Sequence, residues 1–235
     1  MWREILDYLA RNKDSLSILV SIVVGIATLI TSIVSIHVMM SQNRISQEQT
    51  DIQKSQIQPI FTIVVHQQQD FDDGKYGTDV LNVRNLGSKV LDYSVDVDVF
   101  FQLSRHEKMQ NDTIYFEIPD YFNASYSDKT GNDLIKTYFG VGNNRIFCKL
   151  YQHALDASHN DVRYFLEKVI LCKITYHDIL KNKHTLFFEN GDEISQDRYN
   201  KYFTSAQLTS TFGIALRKLN FANMKMKVES ISKNE

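Results

Sequence analysis

Small and hydroxyl-bearing residues recur at spacings of three and four within an apolar stretch near the N-terminus, Leu16 to Ile36. On a helix this spacing places them along one face, with Leu, Ile and Val on the others. Small side chains let helices approach closely inside a bilayer, and hydroxyls can hydrogen-bond across the contact. The pattern therefore predicts a face for helix association, made of Ser17, Ser21, Gly25, Thr28, Ser32 and Ser35.

Two other interpretations of this face stay open. Several copies packed around a mildly polar centre would form a pore. Alternatively, the stretch is a plain anchor, because Gly, Ser and Thr are common in membrane helices and their hydroxyls can bond to their own backbone.

Few other residues are arranged for chemistry. The closest set of potential metal ligands is His153, His159 and Asp161, although histidines in polar surface loops are more often unliganded. His177 and Asp178 are adjacent in a predicted hairpin turn, where we expect Asp178 to cap backbone N–H groups. The sequence contains no phosphate-binding glycine loop, nucleophile elbow or zinc-protease motif. We therefore expect a protein that is not an enzyme, with no catalytic residue, cofactor or metal.

Composition narrows the classes further. The net charge of −2 provides no general basic field for nucleic acid. Two cysteines, Cys148 and Cys172, are too few for a disulfide framework. We expect buried free thiols, with a pair between them as the alternative.

The stretch Leu16 to Ile36 has no charged residue and, at about 1.5 Å per residue, is about 31 Å long as a helix. It is longer than the apolar region of a cleavable signal peptide and lacks a clear cleavage site, so we predict an uncleaved single-pass anchor. Arg3, Arg11 and Lys13 precede it and Arg44 follows it. These cations favour a cytoplasmic N-terminus by only one or two charges, which leaves the side of the soluble domain open.

The flanks suggest further elements. Residues 1–14 form a predicted amphipathic helix at the membrane interface, with Trp2, Ile5, Leu6 and Leu9 on one face. The transmembrane helix is assigned to residues 15–40 and a Gln-rich helical stalk to residues 41–58. Pro59 is expected to end the stalk, because the residue before a proline disfavours helix.

Residues 59–192 predict a mainly β soluble domain. Val95, Val97 and Val99 alternate with Asp96 and Asp98, as in a half-buried strand. Many short antiparallel strands favour an immunoglobulin-like β-sandwich, with a small β-barrel as the alternative. Further strand candidates are Thr113–Ile118, Ile146–Tyr151, Leu166–Tyr176 and His184–Glu189.

The remaining segments are assigned by composition and periodicity. Asn123 to Asn144 is polar and predicts a longer loop with a helical or irregular segment. Residues 193–235 are assigned to a helical basic tail, with one helix over Ser205 to Lys218 that packs on the domain or docks on a membrane or partner.

Adjacent aromatic pairs occur throughout the domain, and in a strand one member of each pair faces in and the other out. Most of them are expected to pack in the core. Stacking on a nucleotide or nucleic-acid ligand stays possible, with no other residue pattern in its favour. The pairs include Phe100–Phe101, Tyr115–Phe116 and Phe187–Phe188.

Several loose motifs follow the anchor and stalk in order. They are Gln56-Ile57-Gln58-Pro59, then Leu81, Val83, Asn85 and Gly87 at alternate positions, then Ile174, Tyr176 and Asp178. The whole order resembles small bacterial membrane-anchored β-domain proteins and, in architecture, the transmembrane effectors of anti-phage defence systems associated with retrons or nucleotide signalling. The resemblance implies the bacterial inner membrane as location. Such effectors often have two or more spanning helices, whereas this chain has one.

Two functions are therefore expected. In the first, the β-domain binds a protein partner or ligand, and the transmembrane helices form a homo-oligomer that perturbs the lipid bilayer, as in anti-phage defence. In the second, the chain is a passive extracytoplasmic scaffold or accessory module of an envelope complex.

Overall fold

The computed structural model describes residues 2–69, 76–90, 92–108, 110–127, 133–159 and 161–231. The chain divides into two compact units, Met1–Gln56 and Ile57–Glu235. The first unit is helical, with α1 (Trp2–Arg11) followed by α2 (Lys13–Ile57). The second is a β domain with helices packed on it.

One helix in the described part of the chain is long and apolar enough to cross a membrane. It lies within α2, in the segment Ser17–Thr50, where a window of 18 residues has a mean hydropathy of 2.5 and is not buried by other residues. The helix continues through the polar residues that follow and ends at Ile57, just before Pro59. The prediction that Pro59 ends the helix is confirmed. The proline ring disfavours the helical conformation in the residue before it.

Two antiparallel sheets make up the β domain, so the mainly β prediction is confirmed. The first sheet has the strand order β1-β2-β6-β5 and the second β4-β3-β7-β8-β9. The strands are β1 (Phe61–Gln68), β2 (Thr78–Asn85), β3 (Asp92–Glu107), β4 (Gln110–Glu117), β5 (Ala124–Ser127), β6 (Asp133–Gly140), β7 (Val162–His177), β8 (Lys183–Glu189) and β9 (Asp192–Ile194).

The longest pairing joins β3 and β7, in register from Asp92 opposite His177 to Glu107 opposite Val162. Val95 and Val99 are buried in the main core between the sheets. Asp96 and Asp98 lie on the opposite face of β3, because successive strand residues point to opposite faces. The predicted half-buried strand is therefore confirmed.

Adjacent aromatic residues supply both faces of the second sheet. The inward members pack in the main core, and the outward members form a second cluster beneath helix α4 (Gln196–Leu208), which contributes Tyr199 and Tyr202. The inward set is Phe101, Phe116 and Phe188, and the outward set is Phe100, Tyr115 and Phe187. For these three pairs, the predicted split between faces is confirmed, whereas Tyr121 and Phe122 both pack on the main core.

The C-terminal segment contains two helices, not the single one predicted over Ser205 to Lys218. Helix α4 begins after Ser195, whose side chain accepts a hydrogen bond from the Arg198 N–H, and ends at Leu208. Residues 211–214 then bond to the edge of β4, where Glu117 N donates to Thr211 O at 3.0 Å and Ile214 N donates to Glu117 O at 3.0 Å. These bonds satisfy backbone groups at the edge of β4, and the chain does not continue as a helix there. Helix α5 (Phe221–Ile231) follows and packs against the main core.

Two other assignments from sequence are wrong. The proposed strand Ile146–Tyr151 lies within helix α3 (Asn143–Asp156). Leu150 and Ala154 recur at helical spacing, and both are buried. The proposed loop Asn123 to Asn144 contains strands β5 and β6. Strand β5 (Ala124–Ser127) lies at the edge of the first sheet and is exposed, which explains its polar sequence.

Candidate functional site

The six residues predicted as an association face all lie on the unbroken helix α2, and all are exposed. At about 100° per residue, they fall within an arc of about 80° around the helix axis. A methyl group added at Gly25 would meet no atom within 4 Å. No contact among the described residues therefore requires a glycine there, and its small size leaves room for a neighbouring helix.

Hydroxyl groups in this helix already have acceptors within it. Ser21 Oγ donates to Ser17 O at 2.9 Å, Thr28 Oγ1 to Val24 O at 2.8 Å and Ser32 Oγ to Thr28 O at 2.9 Å. In the hydrocarbon core of a bilayer, polar groups must form hydrogen bonds within the protein, and these hydroxyls do so. Their oxygen lone pairs and small size remain available for a contact with another helix.

A polar cleft of about 480 Å³ lies between α4 and the outer face of the second sheet. Its size falls in the range of small-molecule sites. The sheet contributes Gln102, Tyr115 and Glu189, and α4 contributes Arg198, Lys201 and Tyr202. The cleft therefore offers an amide, two phenols and groups of both charges for hydrogen bonding.

An ion pair closes one side of the cleft. Arg198 Nε and Nη2 each donate to a carboxylate oxygen of Glu189 at 2.7 Å. Tyr115 and Tyr202 pack edge to face, with ring centroids 5.0 Å apart. Burial raises the pKa of Tyr202 to about 12, and burial also raises the pKa of Tyr115. Both phenols are therefore neutral donors at physiological pH.

A buried polar cluster connects the two sheets elsewhere in the domain. The Lys168 ammonium on β7 and the Tyr121 hydroxyl both donate to Asp79 Oδ2 on β2. Asn144 Oδ1, on α3, accepts from Lys168 Nζ at 3.3 Å. The other carboxylate oxygen, Asp79 Oδ1, is buried without a hydrogen-bond partner in the described part of the chain.

The environment of this cluster is aromatic as well as polar. Lys168 Nζ lies 4.9 Å from the ring centroid of Phe147 and 5.2 Å from that of Tyr121. Burial, with the negative charge of Asp79 as the next cause, raises the pKa of Tyr121 far above its usual value. The cluster is closed off from solvent, so it contributes to sheet-to-sheet packing and offers no open binding surface.

Asp178 occupies the predicted turn between β7 and β8. Its Oδ1 accepts from Leu180 N at 2.8 Å and from Asn182 N at 2.9 Å, which confirms the predicted capping role. The adjacent His177 instead faces Asp92, with Nδ1 to Oδ2 at 3.1 Å. The two residues therefore point to different partners and do not form a dyad.

The remaining candidates from sequence do not converge. His153 lies on α3 and His159 pairs with Val162 in an isolated bridge. The described residues include no group of three or more His, Cys, Asp or Glu side chains placed to hold a metal ion. Both cysteines are free. Cys172 is buried, and burial raises the pKa of its thiol, whereas Cys148 is exposed on α3.

Sequence reasoning missed both the cleft and the buried cluster. Asp79 and Lys168 are 89 positions apart and Tyr115 and Tyr202 belong to different elements, so no local spacing links them. The available signal was the outward-facing polar residues in strands that otherwise read as buried.

No family model, no curated protein and no solved structure matches the chain.

Proposed function

We propose that the chain is a single-pass protein of the bacterial inner membrane whose β domain binds a protein partner or ligand and whose α2 helices associate to perturb the bilayer. The observation that carries the proposal is the arc of small residues on an apolar helix without protein cover. The polar cleft beneath α4 supports the binding role. A role in anti-phage defence rests on the architectural resemblance.

We infer further that the sandwich is immunoglobulin-like. The order β1-β2-β6-β5 corresponds to strands A-B-E-D of that fold, and β4-β3-β7-β8 corresponds to C′-C-F-G. Helix α3 lies between β6 and β7, and β9 extends the second sheet. The strand order supports the sandwich over the barrel alternative.

The association face is tested by replacing Ser21, Gly25 and Thr28 together with Leu. Larger side chains keep the helix apolar but prevent close approach of a second helix. We expect energy transfer between labelled copies in vesicles to fall and growth inhibition on expression to be relieved. The matched control replaces Val23, Ile26 and Ile30 with Leu on the opposite face, and unchanged toxicity of the first variant would refute the proposal.

A passive anchored scaffold is the second candidate, favoured by the hydroxyls that are already bonded within α2. The cation distribution also favours an external domain, which an intracellular trigger would not reach. A reporter fused after residue 235 distinguishes the two functions. Reporter activity outside the cytoplasm supports the scaffold, and activity inside supports the effector.

A further inference from the structure

Four exposed aliphatic side chains share one end of the sandwich. Ile60 is 57% exposed, Leu86 61%, Ile179 45% and Leu180 64%. We call this end, made of residues 58–60, 86–90 and 178–182, the entry end, because the chain arrives there from α2.

The strand register places these segments together. Phe61, the first residue of β1, pairs with Asn85, the last residue of β2. Asp92, the first residue of β3, pairs with His177, the last residue of β7. The hairpin that carries Ile179 and Leu180 therefore lies at the same end as the start of β1.

The hairpin tip is held in a fixed shape. One carboxylate, that of Asp178, accepts from the backbone of Leu180 and Asn182 and pairs with His184 Nε2 at 3.0 Å. Lys181 adopts a left-handed conformation with φ of 67°. These constraints hold two aliphatic side chains in water, where burial against their own domain would be favourable.

Aromatic contacts fasten the tip to the start of β1. The His184 ring stacks on Tyr176 with centroids 5.1 Å apart, and Tyr176 contacts Phe61 at 5.0 Å. Leu86 N donates to Ile60 O at 2.8 Å. The tip is thus rigidly connected to the residues that follow α2 in the chain.

The exposed cations on the hairpin tip are two lysines. Lys181 and Lys183 flank the two aliphatic residues and are exposed. Of the carboxylates at this end, Asp178 is turned inward with 16% of its side chain exposed, Asp92 faces His177, and Asp133 pairs with Asn85 at the start of β6 in the other sheet. Aliphatic side chains beside lysines are the chemistry that binds an anionic lipid surface.

We propose that the entry end docks on an anionic lipid bilayer, with Ile179 and Leu180 at the boundary of headgroups and acyl chains. Lys181 and Lys183 then contact lipid phosphates. The inference rests on the proposed anchoring by α2. Residues 41–57 of that helix are about 25 Å long at about 1.5 Å per residue, so the entry end lies within about that distance of the lipid, and docking requires this helical segment to tilt towards the bilayer.

The test measures the lipid contact of single nitroxide labels on the full chain in nanodiscs. In a Cys148→Ser background, separate chains carry Leu180→Cys at the tip, Val141→Cys at the opposite end or Ile26→Cys in α2. Val141 is 57% exposed, which matches the tip residues. Discs of phosphatidylcholine are compared with discs that also contain phosphatidylglycerol, and collision with oxygen is compared with collision with a water-soluble nickel complex.

We expect the Leu180 label to become several-fold more accessible to oxygen relative to nickel in the anionic discs, while the Val141 label stays aqueous. Replacing Lys181 and Lys183 with Gln should abolish this change. A Leu180 label that stays aqueous while the Ile26 label is in lipid would overturn the docking and leave the anchoring intact. An aqueous Ile26 label would refute both.

Two further outcomes also refute the proposal. Lipid contact that is equal in both kinds of disc and unaffected by the Gln variants would rule out recognition of anionic headgroups. Dipolar broadening of the Leu180 signal that disappears on dilution with unlabelled chain would show that a second copy covers the tip.

Discussion

Helix α2 and the β-sandwich handle apolar side chains in opposite ways. Outside the arc of small residues, the helix exposes Leu, Ile and Val on all its faces, and the hydroxyls of Ser21 and Thr28 bond within one turn. The sandwich buries aromatic residues on both faces of one sheet and closes a charged cluster between its sheets. The helix therefore satisfies its own hydrogen bonds without contacts to other elements, whereas the sandwich depends on contacts between residues far apart in the chain.

The largest expected effect on the free energy of unfolding comes from a substitution in the core of the sandwich. Phe101 is fully buried and contacts Tyr121 and Phe147. Phe101→Ala should lower the free energy of unfolding of the sandwich by about 3–5 kcal/mol, because it leaves a cavity. Ile26→Ala in α2 should leave it unchanged. Near-ultraviolet circular dichroism during urea unfolding of the detergent-solubilised chain measures both, and an equal loss would invalidate the contrast between the regions.

Removing one half of the buried ion pair should have the next largest effect. Lys168→Met leaves the Asp79 carboxylate buried without its cation, at a cost of about 3 kcal/mol. Lys173→Met on the same strand serves as control, since its nearest carboxylate oxygen is 4.0 Å away and both side chains are partly exposed. The double variant Asp79→Leu with Lys168→Met should recover most of the loss in the same unfolding measurement. If it does not, the cluster stabilises the sandwich beyond charge compensation.

The border of the cleft should contribute less. Glu189→Gln removes one charge from the pair with Arg198, in which the Arg198 side chain is 59% exposed and the Glu189 side chain is 13% exposed. We expect a loss of at most about 1 kcal/mol, because solvent screens such pairs. Glu193→Gln, on neighbouring β9, is the control. A loss comparable to that of Lys168→Met would mean that the Glu189–Arg198 pair stabilises the sandwich as much as the buried pair does.

The smallest effect concerns pH at the hairpin tip. The hydrogen bond from His184, followed in effect by those from the 180–182 backbone and Asn182, lowers the pKa of Asp178 from 3.8 to about 2. Its stabilisation of the tip is therefore present above about pH 4 and is lost as pH falls towards 2. Hydrogen exchange of the 180 and 182 amides should accelerate in that window. Asp178→Asn should remove the pH dependence, and exchange rates in the native protein that do not change across it would contradict the assignment.

The same contrast explains what could be predicted from sequence. The apolar stretch, the end of α2 at Pro59, the alternation in β3 and the cap by Asp178 follow from residues a few positions apart. The end of α4 does not, because it depends on Thr211 bonding to the backbone of β4, 96 positions earlier. The sequence of α3 predicts a strand over Ile146–Tyr151 because a short apolar run fits both periods. The cleft needs four elements to meet, and spacing does not encode that.

Hydroxyls that bond within their own helix also bear on how copies assemble. On the proposed anchoring, a lone α2 would enter the bilayer without an unsatisfied hydroxyl at Ser21, Thr28 or Ser32, so insertion would not wait for a second copy. The proposed association would then be a separate, reversible step governed by mass action. The amount of protein in the membrane, set by synthesis and turnover, would determine the onset of any collective effect, which gives a threshold in dose.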